Sequence, residues 1–437
     1  MIKFYIYLLY QALIHKLKSE EKTVIPTAFT GIASSLISDG LTVHSRFKLP
    51  VPTEMDSVSY VKVDRPEGES IRDASLVIID EASMISKSVL KCLDDLFKKT
   101  MNNDIPLGGK CTMLAGDFRQ CLPVSDIPAI EHSSTLSLKY SDLWRHFKTM
   151  SLINNMRANP DEVEFKDWSL RVGNGIETTI DNDSLIRLPD QIVCDQNIIH
   201  DTFGDGLIRV DDLVNINVAI LTPTNKDSLE INDLIVRRVE GEEFVYLSTT
   251  SVECDNPLDQ EHYPIENAFD ETPNSYPPHR LIMKVGAIII LLKNWSLREG
   301  LCNGTRMRVT EMNHYSLKAA ILRGPNKDKE FIFNRVTFRP SENSRDAIRL
   351  VRIQLPFRLA FAMTINKSQG QTFDRVGLLL KEPVFSHGQL YVAVSRVRSF
   401  DSLKVMVVDI PGGGKRQGEI EGYDGVYTKN VVDRSVL

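Results

Sequence analysis

The stretch that most constrains this chain is "SLVIIDEASMI", which runs from Ser75 to Ile85. An apolar, β-branched run leads directly into two adjacent carboxylates, Asp80 and Glu81, and a short run of this kind predicts a buried strand. Its polar end is the carboxyl end of the strand, where ligands bind in open α/β sheets. The sequence therefore predicts a sheet that carries a pair of acids at its functional edge.

Helix and strand patterns alternate along the rest of the chain. Predicted strands at "KTVIPTA", "SLVIID" and "CTMLAGD", the last ending at Asp117, are separated by helical segments. Repeated β-α units predict a parallel sheet with helices on both faces. A second α/β pattern begins around Val218 and resumes at "RVGLLLK". Between its two parts, several strands that include "EFIFNRVTF" predict a small inserted β domain.

Composition limits the class of protein only loosely. A net charge of −6 gives no general support to a nucleic-acid partner, so any DNA site must be a local groove. The six cysteines form no CxxC pair, which fits a reducing compartment and argues against zinc ligation and a disulfide framework. The N-terminal apolar stretch is too short to span a bilayer and lacks a cleavage site. Its spacing predicts a buried amphipathic helix with this inner face: Leu8, Leu9, Ala12, Leu13 and Leu17.

The paired acids suit a Mg²⁺-nucleotide site. Such a site needs one acid to hold the water shell of the metal and another to orient or deprotonate the attacking water. Asp80 and Glu81, adjacent at the end of a strand, can fill both roles. Taken alone, the pair is about as common at an ordinary helix N-terminus, where acids favour the helix dipole.

Other candidate residues follow the acids in order. Asp117 and then Gln120 end the next predicted strand in "LAGDFRQCLPV", and an amide at that place can sense a γ-phosphate. Arg157 in "LINNMRANP" and Arg396 in "YVAVSRVRSF" are candidates for arginine fingers, which neutralise charge on a transferring phosphoryl group. Each arginine alone would be read as a surface salt bridge. The order of the set favours the functional interpretation.

That order resembles the motifs of superfamily-one DNA helicases, specifically the Pif family, including the helicase regions of Helitron-type transposons. The matching segments, which cover roughly 23–409, include "TAFTGIASSLISDGLTVHSRFKLP", "LVIIDEASMI", "LAGDFRQCLPV", "LINNMR", "AILTPTN", "LREGLCNGTRMRV", "FAMTINKSQGQTFDRVG" and "GQLYVAVSRVRS". The resemblance implies an α/β fold with two RecA-like parallel-sheet domains and a small SH3-like β domain inserted in the second. The implied boundaries are 1–158 for the first RecA-like domain, 159–241 with 350–437 for the second, and 242–349 for the insert.

The resemblance also implies roles for individual residues. The implied catalytic residues are Asp80, which also organises the metal, Glu81, Gln120, Arg157 and Arg396. The implied nucleotide contacts are Asp117, Gly370 and Gln371. The implied nucleic-acid contacts are Thr27, Thr30, Gly31, His44, Phe47, Thr364, Lys367 and Ser368. The first three lie where a strand turns into a helix with free N–H groups, and His44 and Phe47 supply rings that can stack on bases.

One motif of the family is missing. Helicases of this family open with a G-x-x-x-x-G-K-[ST] phosphate loop, whereas this sequence begins inside the predicted first helix. The stretches "GGGKRQ" and "LGGKC" do not match the pattern. The first RecA-like domain is therefore expected to lack its first strand and phosphate loop. Either the sequence is an incomplete gene model or transposon-derived remnant, or the protein has lost nucleotide hydrolysis. The first is favoured because the downstream catalytic residues persist.

The function implied is that of a 5′–3′ DNA helicase that uses ATP and Mg²⁺ in DNA repair, recombination and telomere maintenance, or in transposition for a Helitron element. Its implied partner is single-stranded or forked DNA, and it would be a monomer in the nucleus, with the mitochondrion as an alternative and no membrane segment. A non-hydrolysing single-strand-binding protein on the same fold is the alternative. A metal phosphoesterase is disfavoured because no further Asp or His cluster supplies a second metal site.

Overall fold

The structure is a computed structural model that describes residues 2–123, 133–152, 159, 161–180, 184–194, 197–204, 217–254, 265–273, 275–324, 326–340, 348–408 and 417–437. The α-helices in chain order are α1 (Ile2–Ser19), α2 (Gly31–Ser35), α3 (Val43–Arg46), α4 (Pro66–Asp73), α5 (Lys87–Met101), α6 (Val163–Asn174), α7 (Ile198–Phe203), α8 (Asn225–Arg238), α9 (Ile265–Asp270) and α10 (Gln389–Val394). The 3₁₀ helices are Ala82–Met84, Pro106–Gly109, Ser133–Leu136, Leu138–Tyr140, Asp142–His146, Asp190–Ile192, Leu297–Glu299, Asn366–Ser368 and Arg434–Val436.

The strands in chain order are β1 (Thr23–Ala28), β2 (Leu41–Thr42), β3 (Ala74–Asp80), β4 (Thr112–Leu114), β5 (Thr179–Ile180), β6 (Leu185–Arg187), β7 (Val218–Thr222), β8 (Phe244–Leu247), β9 (Thr249–Cys254), β10 (Arg280–Met283), β11 (Ile288–Leu291), β12 (Arg306–Met312), β13 (Ser316–Ile321), β14 (Glu330–Asn334), β15 (Val336–Phe338), β16 (Ile348–Gln354), β17 (Phe357–Leu359), β18 (Ala362–Thr364), β19 (Arg375–Leu380), β20 (Leu403–Val407), β21 (Gly418–Glu419) and β22 (Val426–Lys429).

The chain divides into two compact units. Unit 1 comprises Met1–Asp195, Ser368–Thr372 and Leu378–Leu437, and unit 2 comprises Gln196–Lys367 and Phe373–Gly377. The domain boundaries expected from the sequence stay predictions, because a division into compact units groups residues by contact and not by membership of a particular sheet.

A parallel sheet with two hydrophobic faces forms the core of unit 1. Its strand order is β2-β1-β3-β4, and each neighbouring pair is parallel. Because side chains alternate along a strand, Leu76 and Ile78 of β3 join the core that includes α1 and α2. Val77 and Ile79 join the opposite core, formed with α4 and α5. The prediction of a parallel sheet with helices on both faces is confirmed.

The inner face of α1 differs from the one predicted. The helix buries Tyr7, Tyr10 and Ile14, which follow each other at helical spacing. Leu8 and Leu9, which were predicted to face inward, are 42% and 40% exposed. The aromatic rings occupy the core beside β1 and β3, which leaves these leucines on the outer side. No helix among the described residues combines the length and apolarity needed to cross a bilayer.

Unit 1 also contains an antiparallel sheet with the order β21-β22-β6-β5. Helix α10 packs against α6 in the same unit. Strand β4 ends at Leu114, three residues earlier than Asp117, where the sequence predicted its end. The residues from 115 to 123 therefore form a loop, and this loop carries two of the predicted site residues.

Unit 2 combines a parallel pair, β7 and β18, with several antiparallel sheets. The sheets have the orders β14-β13-β12-β11-β17, β15-β16-β9 and β10-β8. The segment "EFIFNRVTF", predicted as one strand, is interrupted at Arg335, so that β14 pairs with β13 whereas β15 pairs with β16. The expectation of an antiparallel β region between the two parts of the second α/β pattern agrees with these sheets.

A buried arginine holds the irregular part of unit 2 to its sheet. Arg352 on β16 is fully buried. Its guanidinium donates to the carbonyl oxygens of Glu271 and Pro277, both at 3.0 Å, and to that of Ala268, while Nε donates to Thr250 Oγ1. Burial lowers the pKa of Arg352 from its ordinary value, yet no side chain other than arginine offers this many donors from one position.

We expect Arg352→Met to destabilise unit 2 by about 3 kcal/mol or more, because several buried carbonyl groups would lose their donor at once. Urea unfolding gives the free energy, and hydrogen–deuterium exchange in β9 and β16 locates the loss. The control is Arg339→Met, which removes an exposed pair with Glu253 at 3.4 Å and should change stability by less than about 1 kcal/mol. Equal effects of the two variants would contradict this role of Arg352.

Candidate functional site

Asp80 lies at the carboxyl end of β3, on the face of the sheet that packs against α1. The alternation that sends Leu76 and Ile78 to that face also sends Asp80 there. Tyr7 Oη donates to Asp80 Oδ2 at 3.0 Å, and Tyr10 Oη donates to Asp80 Oδ1 at 2.9 Å. The carboxylate is 5% exposed. Each of its oxygens therefore accepts a phenol hydrogen bond from the first helix.

The two phenols are held as donors. Burial, and after it the nearby carboxylate of Asp80, raises the pKa of Tyr7 and of Tyr10 well above the ordinary value. Their rings meet edge to face with centroids 5.8 Å apart, which fixes one ring against the other. Both hydroxyls consequently remain protonated across the whole physiological pH range.

Glu81 marks a sharp turn after the strand. Its backbone is left-handed, with φ 55° and ψ 40°, and its side chain is buried. A left-handed residue that is not glycine costs of order 1 kcal/mol or more, and such residues cluster at functional sites. Directly after the turn, Ala82 N donates to Ala115 O at 2.8 Å. A Cβ on Gly116 would lie 2.7 Å from Ser83 N. The end of β3 therefore lies directly against the loop that follows β4.

Two polar atoms at this place lack a partner. Ser83 Oγ and Gln120 Oε1 are buried and have no hydrogen-bond partner within the described part of the chain. Buried polar atoms are nearly always hydrogen-bonded, so an orphaned atom requires an explanation such as a missing water or ligand. Both atoms belong to segments that the sequence assigned to the site. They indicate room for a polar ligand beside the acids.

The loop that contains Gln120 is held by residues near the N-terminus of α10. Tyr391 Oη donates to Asp117 Oδ2 at 2.9 Å. A Cβ on Gly388 would lie 2.3 Å from the carbonyl oxygen of Arg119. Only glycine fits at position 388, because its φ of 72° also lies in the left-handed region.

His387 fixes the same loop through both ring nitrogens. Its Nδ1 accepts from the backbone N–H of Asp433 at 2.8 Å, so that Nε2 carries the proton and donates to Phe118 O at 2.7 Å. Burial lowers the pKa of His387, and Phe118, Asp433 and Asp117 oppose this only in part. The neutral ring is the form that makes both bonds.

Arg396 is fully buried within unit 1. Its Nε donates to Val392 O at 2.8 Å, and one terminal nitrogen donates to Gln371 O at 3.1 Å and to Ser368 O at 3.4 Å. Burial raises the pKa of the Cys121 thiol to about 12, and Arg396 partly opposes this rise. Arg396 thus lies near the residue that follows Gln120. In this structure its guanidinium supports the segment that contains Gly370.

The structure therefore brings most of the predicted catalytic set together in unit 1. The acids of β3 contact the loop after β4, that loop contacts α10, and Arg396 at the end of α10 contacts the segment 368–371. The predicted nucleotide contacts Asp117, Gly370 and Gln371 lie along the same series of contacts. Arg157 lies outside the described residues.

The predicted nucleic-acid contacts of unit 1 are borne out less well. Thr27 is fully buried and its hydroxyl donates to Ile78 O at 2.8 Å, so it offers nothing to a phosphate. Phe47 is fully buried against Phe97, with ring centroids 5.3 Å apart, because α3 packs this side chain into the core of the sheet. The predicted roles of these two side chains are wrong for this structure. Ser368 is also fully buried, and its side chain is not available to DNA.

Other predicted contacts keep an accessible side. Thr30 is the N-cap of α2 and accepts from Ala33 N at 3.2 Å, and Gly31 begins that helix. The ring of His44 is partly buried, and burial lowers its pKa. It meets Phe29 edge to face at 5.6 Å. The roles of Thr30, Gly31 and His44 stay predictions.

In unit 2, Thr364 and Lys367 line one pocket with the first turns of α8. The pocket is also lined by Asn225, Ser228 and Arg358. Burial, with a smaller contribution from Arg358, lowers the pKa of Lys367 to about 8. Burial likewise lowers the pKa of Arg358 to about 10. Two cations beside the N-terminus of a 14-residue helix make a pocket that suits an anion such as a phosphate.

Magnesium does not fit Asp80 in this arrangement. Carboxylate oxygens are the right donors for the ion, but Tyr7 and Tyr10 each direct a proton at one of them. The described residues contain no group of three or more His, Cys, Asp or Glu side chains that could hold a metal elsewhere.

Several residues of the site escaped the sequence analysis. Tyr7 and Tyr10 could have been found from their spacing with Ile14, but the leucines of the same segment gave a competing pattern. His387 and Gly388 carry no recognisable signal, because their roles depend on backbone contacts with residues far away in the sequence. Ser83 lies inside the quoted motif, and its burial is visible only in the folded chain.

Known proteins resemble this chain along most of its length. The sequence model described as PIF1-like helicase matches residues 6–183, and the one described as DNA helicase Pif1, 2B domain matches residues 272–312. The ATP-dependent DNA helicase PIF1 of Xenopus laevis is 27% identical over 89% of this chain and 55% of its own length. The ATP-dependent DNA helicase Pif1 of Psychrobacter is 25% identical over 90% of this chain and 62% of its own length. The chain thus spans little more than half of these relatives.

Solved structures show the same fold. A Bacteroides Pif1 bound to single-stranded DNA has a TM-score of 0.65 at 23% identity, over 91% of this chain and 85% of that chain. The Pif1 helicase from Candida albicans also has a TM-score of 0.65, at 22% identity, over 94% of this chain and 89% of that chain. The α/β fold of the RecA-like type is therefore confirmed. The Helitron subgroup stays a prediction.

We expect the stability of unit 1 to fall as the pH is lowered from 7.5 to 5.5. Because the folded pKa of His387 is lowered, the unfolded chain binds a proton below about 6.5 while the folded chain does not. Urea midpoints at both pH values measure the effect. His387→Gln should be less stable at pH 7.5 and should show a smaller pH slope. The control His200→Gln, at an exposed ring, should keep the wild-type slope, and an unchanged slope in His387→Gln would contradict this assignment.

Proposed function

Because this chain belongs to the PIF1-like helicase family, we propose that it is an ATP-dependent 5′–3′ DNA helicase that acts in DNA repair, recombination and telomere maintenance. The observation that carries the proposal is the convergence in unit 1 of Asp80, Glu81 and Gln120 beside two buried polar atoms without partners. A polar ligand that reaches these groups would meet a base and an amide together. The proposed site of action is the nucleus, with the mitochondrion as an alternative.

In this proposal Glu81 activates the attacking water and Gln120 positions it. The buried Oε1 of Gln120 accepts a hydrogen bond from that water, which would satisfy an atom that lacks a partner in the described structure. Arg396 supplies positive charge to the transferring phosphoryl group after it exchanges the carbonyl oxygens of Ser368 and Gln371 for phosphate oxygens. Mg²⁺ would enter with ATP and neutralise phosphate charge, and no step is assigned to Asp80 while the phenols hold it.

Single-stranded or forked DNA is the proposed partner, bound by a monomer. The pocket of Lys367 and Arg358 at the N-terminus of α8 supports a phosphate contact in unit 2. Thr30 and His44 support contacts in unit 1, where an imidazole ring can stack on a base. A local basic pocket also explains how an acidic chain with net charge −6 can bind a polyanion.

A second candidate function is single-strand binding without hydrolysis. One observation favours it: the phenols of Tyr7 and Tyr10 occupy both oxygens of Asp80, so this acid is not presented to a metal. The DNA contacts would be retained in such a protein. The two candidates differ in whether DNA stimulates nucleotide turnover.

For the helicase we expect single-stranded DNA to stimulate ATP hydrolysis, and Glu81→Gln to lower the stimulated rate by about 10²-fold or more, the contribution of a general base. The assay is phosphate release with and without oligonucleotide. Glu69→Gln, at an exposed acid on α4, is the matched control and should keep the wild-type rate. DNA binding with no turnover in either protein would reject hydrolysis and leave the binding function.

We expect the affinity for single-stranded DNA to fall between pH 7 and pH 9. The pKa of Lys367 is about 8, so the ammonium group that attracts phosphate is lost across this interval. Fluorescence anisotropy at constant salt measures the affinity. Lys367→Arg should remove most of the pH dependence, because arginine stays charged. Lys318→Arg, at an exposed lysine paired with Glu330, should behave as wild type. The same pH slope in all three proteins would exclude Lys367 from the DNA contact.

A further inference from the structure

We propose that Tyr7 and Tyr10 form a lock on Asp80 that excludes a divalent cation from this carboxylate until the first turns of α1 move. The inference rests on the proposed function only in taking Asp80 as the acid that would serve a metal. It assigns to the two tyrosines a role in deciding whether the site can accept one.

The geometry of the lock leaves no carboxylate oxygen without a phenol. Tyr7 donates to Oδ2 at 3.0 Å and Tyr10 to Oδ1 at 2.9 Å. Tyr10 is fully buried and Tyr7 is 8% exposed, so the hydroxyls are not exchanged freely for water. Hydrogen bonds to an ionised group are the strong ones, and two of them act here on a single carboxylate.

A cation cannot share this arrangement. Mg²⁺ requires oxygen ligands at about 2.0–2.1 Å in a nearly octahedral arrangement, most of them waters. A phenol that donates to the carboxylate directs its proton to the region where the cation would have to lie. Because the rings are buried in the core with Ile14, water cannot enter beside Asp80 while they remain in place.

The lock is also set apart from the rest of the helix. The C-terminal end of α1 is tied down by the turn to β1 and by the pair of Lys18 and Asp39 at 2.8 Å. Tyr7 and Tyr10 lie in the N-terminal half of α1, and their rings touch edge to face, so displacement of one ring disturbs the other. Movement of these turns would release both oxygens of Asp80 together.

The test measures binding of Mn²⁺ alone, without nucleotide or DNA, by the loss of the free-ion signal in electron paramagnetic resonance. Mn²⁺ prefers carboxylate and water ligands, as Mg²⁺ does. We expect Tyr7→Phe/Tyr10→Phe to bind Mn²⁺ at least about tenfold more tightly than the wild type, the factor that one charge-assisted hydrogen bond is worth. Asp80→Asn in the double variant should abolish the gain. Tyr427→Phe, which removes a hydroxyl bonded to Asp424 O at 3.2 Å, is the control and should show no gain.

A second measurement leaves the tyrosines intact. If the lock holds, Asp80→Asn in the otherwise wild-type chain should not change Mn²⁺ binding, because Asp80 does not meet the ion. The inference is overturned if this variant loses Mn²⁺ affinity, or if a folded double phenylalanine variant gains none. Neither result depends on ATP hydrolysis or unwinding, so failure of the lock and failure of the helicase proposal can be told apart.

Discussion

The alternation of side chains along β3 is the constraint on which unit 1 depends. It divides the residues of one strand between two hydrophobic cores and places Asp80 on the face covered by α1. The next residue, Glu81, leaves the strand in a left-handed conformation and starts the turn that lies against the loop after β4. The position of both acids therefore follows from the same pattern that folds the sheet.

The sequence was sufficient for features that repeat locally. The parallel sheet of unit 1, the helix with Leu93 and Phe97 on its inner face, and the segments that carry Asp80 and Gln120 could all be predicted from periodicity and motif order. Each depends on residues that are near neighbours in the chain. The resemblance to helicases added the roles of single residues, which periodicity cannot supply.

The rest depends on contacts between distant segments. Phe47 was expected at a DNA surface, but a ring that can stack on a base can equally fill a core, and the packing of α3 decided for the core. The inner face of α1 was misassigned because leucine and tyrosine compete for the same helical stripe. Arg396 was expected at a phosphate, whereas its donors reach backbone carbonyl groups of the segment 368–371. No sequence pattern distinguishes these outcomes.

The imidazole of His387 has a consequence for the far end of unit 1. It joins the backbone of Asp433 to the backbone of Phe118 through a single ring. The chain near Asp433 is therefore wired to the loop that carries Gln120, although more than 300 positions separate them in the sequence. A purification tag or a proteolytic cut that pulls on this tail would be transmitted through one heterocycle to the amide beside the acids, and damage to the tail could be mistaken for damage to the catalytic loop.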